Sequence, residues 1–92
     1  MHEQYRYLGI AFKDAGFACE IRRDAKFSSV AFVHISGKGI NETLKCRIVE
    51  RNDQINLVTE FSDGEKESYQ LSGYNACGEA VSSIIRVRPE IL

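Results

Sequence analysis

The chain contains no tryptophan, only one proline, and no repeated or low-complexity segment. Scarce proline argues against a disordered linker or tail, because such segments are enriched in it. Hydrophobic residues make up 43% of the 92 residues and charged residues 27%, which are ordinary globular values. The sequence therefore predicts one domain over residues 1–92, large enough for one core and too small for a deep cleft between lobes.

Long apolar segments are also absent. The longest apolar run, around residues 30–35, is far shorter than the ~20 residues of a transmembrane helix, and the N-terminus lacks the apolar stretch of a signal peptide. The three cysteines, Cys19, Cys46 and Cys77, form no C-x-x-C pair and would leave an odd thiol in any disulfide scheme. We expect a soluble, cytoplasmic protein that makes no contact with a membrane.

The charge is nearly balanced, with a formal net charge of −1, which excludes a broadly basic coat for nucleic acid. The distribution is uneven. Residues 1–51 carry nine Lys/Arg against six Asp/Glu, whereas residues 52–92 carry three against seven. An asymmetric charge of this kind suits oriented docking onto a charged partner, although a solvated surface can also acquire such a split by chance.

Alternation between apolar and polar residues dominates the middle of the chain. Leu44, Cys46 and Ile48 are separated by polar residues, a period of two that is typical of strands with one buried face. Asn52-Asp53 and Asp63-Gly64 are hairpin-turn pairs because they tolerate positive φ angles. The pattern predicts five strands, over residues 17–22, 27–36, 42–51, 54–61 and 65–71.

Both ends of the chain show helical periodicity instead. Apolar residues spaced for one helix face predict a first helix over residues 3–15, ended by Gly16 in a left-handed conformation. A second helix begins near residues 72–75, capped by Ser72 or Asn75, and ends before Pro89. Short connections favour an α+β fold of order α-β-β-β-β-β-α, an antiparallel five-stranded meander with both helices on one face.

No motif for catalysis or cofactor binding is present. Cys19 and Cys46 fall on the predicted core face, whereas His34 falls on the opposite face of its strand, so a Cys–His pair would have to act through the sheet. The cysteine and histidine spacing matches no zinc pattern, and the glycine-bearing segment 36–39 lacks the spacing of a nucleotide-binding loop. The glycine-bearing segment 72–75 opens a helix, where an anion could bind, but capping alone explains Ser72 and Asn75. We expect no enzymatic activity, no cofactor and no metal.

The sheet face turned away from the helices is the first candidate site, because it combines apolar and aromatic residues with cations. Such exposed patches often mark binding surfaces. Its predicted partner-binding residues are Arg22, Phe32, His34, Lys45, Arg47 and Val49. Three occupants are compatible with the pattern: the C-terminal segment Glu90-Ile91-Leu92, a partner protein, and single-stranded nucleic acid stacking on the aromatic ring.

A cluster of acidic residues around the last hairpin is the alternative partner-binding site. Its members are Glu60, Asp63, Glu65 and Glu67. Lys66 interrupts the cluster and alternation divides the carboxylates between two faces, so a solvated hairpin tip is the default interpretation.

A small acidic α+β chain of this kind resembles, in general terms and by fold alone, immunity proteins, antitoxins and phage anti-defence inhibitors. The resemblance implies a non-enzymatic module that blocks a partner protein by occupying its active or binding surface. The alternative is a domain that binds single-stranded nucleic acid through the open sheet face. A homodimer is compatible with either function.

Overall fold

The computed structural model describes residues 3–27, 29–37, 44–61 and 63–87. It confirms the predicted order of one helix, five strands and one helix. The elements are α1 (Glu3–Asp14), β1 (Ala18–Arg23), β2 (Val30–Ser36), β3 (Leu44–Arg51), β4 (Gln54–Phe61), β5 (Lys66–Gln70) and α2 (Tyr74–Val87).

Helix α1 ends in a Schellman motif that turns the chain into β1. Gly16 adopts the predicted left-handed conformation, with a φ of 97°. Its amide donates to the carbonyl of Lys13, and the amide of Phe17 donates to the carbonyl of Phe12. The nitrogen-to-oxygen distance is 2.9 Å in both hydrogen bonds. The rings of Phe12 and Phe17 then pack edge to face, with centroids 6.4 Å apart. This contact between residues on either side of the glycine is the hydrophobic interaction that accompanies the motif.

The sheet is an antiparallel meander in the order β1-β2-β3-β4-β5, as the short connections predict. The β3–β4 hairpin turns at Asn52 and Asp53, whose φ angles of 54° and 62° are those of a type I′ turn. Gly64, with a φ of 89°, makes the corresponding turn between β4 and β5. Both turn predictions are therefore confirmed.

The core lies between the two helices and one face of the sheet, and its members confirm the predicted register of the central strands. Ala31 and Ile48 are completely buried, whereas their neighbours Phe32 and Arg47 point to the other side and are exposed. The buried apolar residues are Tyr5, Leu8, Phe12, Phe17, Ala31, Val33, Cys46, Ile48, Leu57, Phe61, Leu71, Cys77, Ala80, Val81 and Ile84.

The start of β2 differs from the prediction. The strand begins at Val30 rather than at residue 27, and Phe27 is 60% exposed. The reason is a local turn: the amide of Asp24 donates to the carbonyl of Val30, and the amide of Val30 donates to the carbonyl of Phe27. The side chain of Asp24 also accepts the amide of Lys26 over 2.8 Å. These bonds form a turn between β1 and β2, and of the residues just before Val30 only Ser29, among those described, still pairs with β3, since its carbonyl accepts the amide of Glu50.

The capping residue of α2 differs from the prediction. Helix α2 begins at Tyr74, so Gly73 occupies the capping position, and its carbonyl accepts the amide of Cys77. Glycine is itself an accepted N-cap residue, which is why neither Ser72 nor Asn75 is needed there. In α1, a Cβ atom at the mid-helix residue Gly9 would meet nothing within 4 Å, so this glycine does not mark close packing against the sheet.

Candidate functional site

The candidate site is the face of the sheet that points away from both helices, hereafter the open face. Its centre is a row of side chains that crosses four strands. Arg22 lies opposite Phe32, Phe32 opposite Arg47, and Arg47 opposite Val58. Directly opposed Cβ atoms in an antiparallel sheet lie about 4.5–5.5 Å apart. The Phe32 ring, 52% exposed, therefore has an arginine on each side.

The other predicted residues of the site lie in the neighbouring rows. Glu20 is opposite His34 on one side of the Phe32 row, and Val30 is opposite Val49 on the other. The side chains of His34 and Lys45 are exposed, whereas that of Val49 is half-buried. All six residues that the sequence groups together thus lie on one face. The open face offers a ring and valine side chains surrounded by charged groups.

Cations outnumber carboxylates on the open face. The charged members of its rows are Arg22, Lys45, Arg47, Arg51 and Lys66 against Glu20 and Glu60. This excess contrasts with the net charge of −1 for the whole chain. The Nε atom of Arg22 lies 2.8 Å from Oε1 of Glu20, a pair so exposed that it contributes little to stability. Lys45 and Arg47 make no side-chain hydrogen bond or ion pair within the described part of the chain. Their charges are directed to solvent.

The C-terminal segment 90–92, one predicted cover of the open face, lies outside the described residues. Within the ranges that the structure describes, about half of the surface of Phe32 remains accessible. The described fold by itself therefore presents the Phe32 row to solvent.

The acidic residues of the alternative site do not form one surface. Glu60 lies on the open face, between Lys45 and Lys66 on the adjacent strands, whereas Glu67 lies opposite Thr59 on the helix-covered side. Oδ1 of Asp63 accepts the amide of Glu65 over 3.0 Å, so this carboxylate stabilises the turn. The period of two thus divides the carboxylates between the two faces, as the alternation predicts, and the use of this hairpin as the alternative partner-binding site stays a prediction.

The thiol groups lie on the helix-covered side of the sheet, across from His34. Cys46 and Cys77 are buried, and Cys19 lies on the predicted core face, where it is partly buried and packs against the core. Burial raises the pKa of the Cys46 thiol to about 12 and that of Cys19 to about 11, and it also raises the pKa of Cys77. Thiolate, the nucleophilic form, is therefore scarce at neutral pH. In the described ranges, no three His, Cys, Asp or Glu side chains are grouped to hold a metal ion.

A polar cluster that the sequence analysis does not identify fixes α1 to the sheet. The hydroxyl of Tyr5 donates to Oε1 of Glu50 over 2.7 Å, and Nη2 of Arg23 lies 3.9 Å from the same oxygen. Burial, followed by the hydrogen bond and charge of Glu50, raises the pKa of Tyr5 to about 12, and Arg23 opposes this shift. The sequence does contain a signal for this cluster. Alternation places Arg23 and Glu50 on the helix-covered side, where a charged residue requires a polar partner.

Neither of the two described helices combines the length and the apolar character needed to cross a membrane. The comparisons with known proteins find no match to a family model, to a curated protein or to a solved structure. The geometry of the open face is therefore the basis for a functional proposal.

Proposed function

We propose that this chain is a non-enzymatic, cytoplasmic protein-binding module of the inhibitor or immunity type, which blocks a partner protein with the open face of its sheet. The observation that carries the proposal is the exposed ring of Phe32 in the middle of the face, between Arg22 and Arg47. Aromatic residues and arginine are the side chains most enriched among the residues that dominate binding energy at protein interfaces.

The mechanism is steric and electrostatic. Phe32 enters an apolar pocket of the partner, and the half-buried side chains of Val30, Val49 and Val58 exclude water around it. Arg22 and Arg47 pair with carboxylates at the rim of that pocket. Because these side chains project from strands held in a five-stranded sheet, little conformational freedom is lost on binding. The excess of cations steers the encounter towards an acidic surface.

Binding of single-stranded nucleic acid is the second candidate, favoured by the same cations and by a ring on which a base could stack. Two features favour a protein partner. Glu20 and Glu60 lie on the same face and would repel phosphates. Among the described residues of the open face, Phe32 is the one aromatic, which offers a single stacking position.

A homodimer formed face to face through this surface is less compatible with its charge. Two copies related by a twofold axis would bring the arginines and lysines of one open face against those of the other. Like charges that are brought together in an interface cost free energy. The open face therefore suits a partner of opposite charge better than a second copy of itself.

Affinity purification from the native host tests the proposal. The wild-type chain, Phe32→Ala, Arg47→Glu and the control Tyr74→Ala serve as baits, since Tyr74 is similarly exposed but lies on α2. We expect one protein, identified by mass spectrometry, to be retained by the wild type and the control and lost from the other two. A protein retained equally by all four baits would contradict the use of the open face.

The same variants on an immobilised oligo-deoxythymidine column separate the two candidates. A phosphate-binding face would retain the wild type at low salt, and retention would fall steeply as salt rises. We expect no such retention. Salt-sensitive retention that Arg47→Glu abolishes would instead favour the nucleic-acid function.

A further inference from the structure

The outer edge of β1 has backbone groups available for another strand. β1 pairs with β2, and in the described ranges no strand pairs with its other edge. The amide of Asp24 donates to the carbonyl of Val30, which fixes the phase of the ladder. Because hydrogen-bonded pairs alternate in antiparallel sheets, the backbone groups of Cys19 and Ile21 point to the outer edge.

Helix α1 has three flanks, and two of them are occupied. Tyr5, Leu8 and Phe12 face the sheet. The flank with Gln4 and Tyr7 contacts α2: the rings of Tyr7 and Tyr74 pack at 5.4 Å, and Sγ of Cys77 lies 3.7 Å from the carbonyl of Gln4. The third flank therefore points away from α2, towards the outer edge of β1.

A groove of about 670 Å³ lies between this third flank and the beginning of β1, hereafter the edge groove. Its lining residues are Arg6, Gly9, Ile10, Lys13, Gly16, Phe17, Ala18 and Cys19. The charged members, Arg6 and Lys13, are both cationic, and the remainder are apolar or glycine. The groove is thus apolar at its centre and cationic at both ends of the helix flank.

Gly9 leaves the middle of the edge groove open. Glycine in a helix interior costs about 1 kcal/mol relative to alanine. Packing within the described structure does not require it, because a Cβ atom at Gly9 would meet nothing within 4 Å. A larger residue at this position would project into the space beside β1.

We propose that the edge groove binds an extended, acidic peptide segment of a partner protein, which adds to the sheet as a sixth strand beside β1. The backbone of the segment would pair with Cys19 and Ile21, as in other cases of strand addition. Successive side chains of a strand point to opposite faces, so the residue beside Cys19 would enter the groove beneath Gly9. Carboxylates on the segment would meet Arg6 and Lys13.

A second copy of the chain fits the same edge less well. Pairing of β1 with β1 of another copy would bring the two cationic flanks of α1 towards each other, because each helix lies beside its own β1. An acidic segment without a helix of its own avoids this repulsion. The charge of the groove therefore selects a peptide rather than a dimer.

Amide hydrogen exchange, followed by NMR, tests the proposal with defined probes. The probes are the capped pentapeptide Glu-Ser-Val-Ser-Glu, whose valine and two glutamates share one face of a strand, the same peptide with lysine for glutamate, and the acidic peptide with a central proline. At a concentration about tenfold above the dissociation constant, the acidic peptide should slow exchange at Cys19 and Ile21 about tenfold. Glu20 and Arg22, whose amides already pair with β2, should change little.

The control peptides should leave all four amides unchanged, since the lysine peptide is repelled by the cations of the groove and the proline peptide cannot complete a ladder. Failure of the acidic peptide to protect the two outward amides would overturn the proposal. Protection that instead appears on raising the chain concentration without peptide would identify a dimer edge and overturn it equally.

Two glycine variants provide a matched test of the groove. Gly9→Leu fills it, whereas Gly78→Leu places the same residue inside α2, where a Cβ atom also meets nothing within 4 Å. We expect Gly9→Leu to weaken acidic-peptide binding at least tenfold and Gly78→Leu to leave it unchanged. Equal binding by both variants would contradict the proposed site. Because Phe32 is not in the groove, a negative result here leaves the proposal for the open face intact.

Discussion

The hydroxyl of Tyr5 offers a sharp test of how α1 is held on the sheet. Tyr5→Phe removes the bond to Glu50 without creating a cavity, because the ring remains. A hydrogen bond to a charged group contributes about 1.5–3 kcal/mol. The Glu50 side chain is 24% exposed, so we expect a loss of about 1.5–2 kcal/mol, in the lower part of that range. For a domain of this size the melting temperature should fall by roughly 6–16 °C.

Urea unfolding at neutral pH measures the loss, and Tyr7→Phe is the matched control. Tyr7 lies on the same helix and also donates to a glutamate, Glu3, but over 3.3 Å and in an exposed position. Its removal should cost less than about 0.5 kcal/mol. If Tyr5→Phe costs no more than Tyr7→Phe, the bond between α1 and β3 does not hold the helix.

Alkaline pH gives a second measure of the same group. The pKa of Tyr5 is raised from 10 to about 12, so folding favours the neutral hydroxyl. A raised folded-state pKa means that this contribution is complete below pH 10 and is lost as the pH rises through 12. The difference in stability between the wild type and Tyr5→Phe should therefore narrow over this range. A difference that stays constant to pH 12 would contradict the assignment.

The packing of α1, β3 and the thiols leads to three further predictions. Gly9→Ala should raise the free energy of unfolding by about 1 kcal/mol, because the helix gains propensity and the new Cβ meets no neighbour; an unchanged urea midpoint would argue against it. Ile48→Ala should cost roughly 2–5 kcal/mol as a core truncation, whereas the exposed Lys45→Ala should change little, and equal losses would mean that the register of β3 is wrong. In the folded protein the thiols should react slowly with a thiol reagent at neutral pH, with Cys19 faster than Cys46. Burial raises the pKa of Cys19 from 9 to about 11 and that of Cys46 from 9 to about 12. The free energy of unfolding should therefore decline as the pH rises through those values, which alkaline unfolding would reveal.

Local patterns predicted most of the fold. Alternation placed Ile48 inward and Arg47 outward, and the dipeptide Asn52-Asp53 identified a turn whose two φ angles are positive. Gly16 marked the end of α1 for the same reason. These features depend on residues close together in the chain, so a single sequence contains the required information.

Errors arose where side chains distant in sequence, or backbone bonds within a turn, decide the structure. The apolar character of Phe27 suggested a strand, but hydrogen bonds around Asp24 hold it in the preceding turn. Glu50 pairs with Tyr5 from 45 residues away, which no local pattern reveals. The edge groove likewise requires knowledge of which flank of α1 faces α2. Alternation grouped the residues of the open face correctly, but their pairing across strands required the register.

The central claim is that Phe32 is the anchor of a binding surface, and affinity measured together with melting temperature tests it most directly. With the partner purified, the wild type, Phe32→Ala and Tyr74→Ala are compared by calorimetric titration and thermal unfolding. The account predicts that Phe32→Ala weakens the complex by about 2 kcal/mol or more, roughly thirtyfold, while its melting temperature changes by no more than a few degrees. Tyr74→Ala should keep full affinity. Full affinity of Phe32→Ala, combined with a lowered melting temperature, would mean that Phe32 supports the fold and that the partner binds elsewhere.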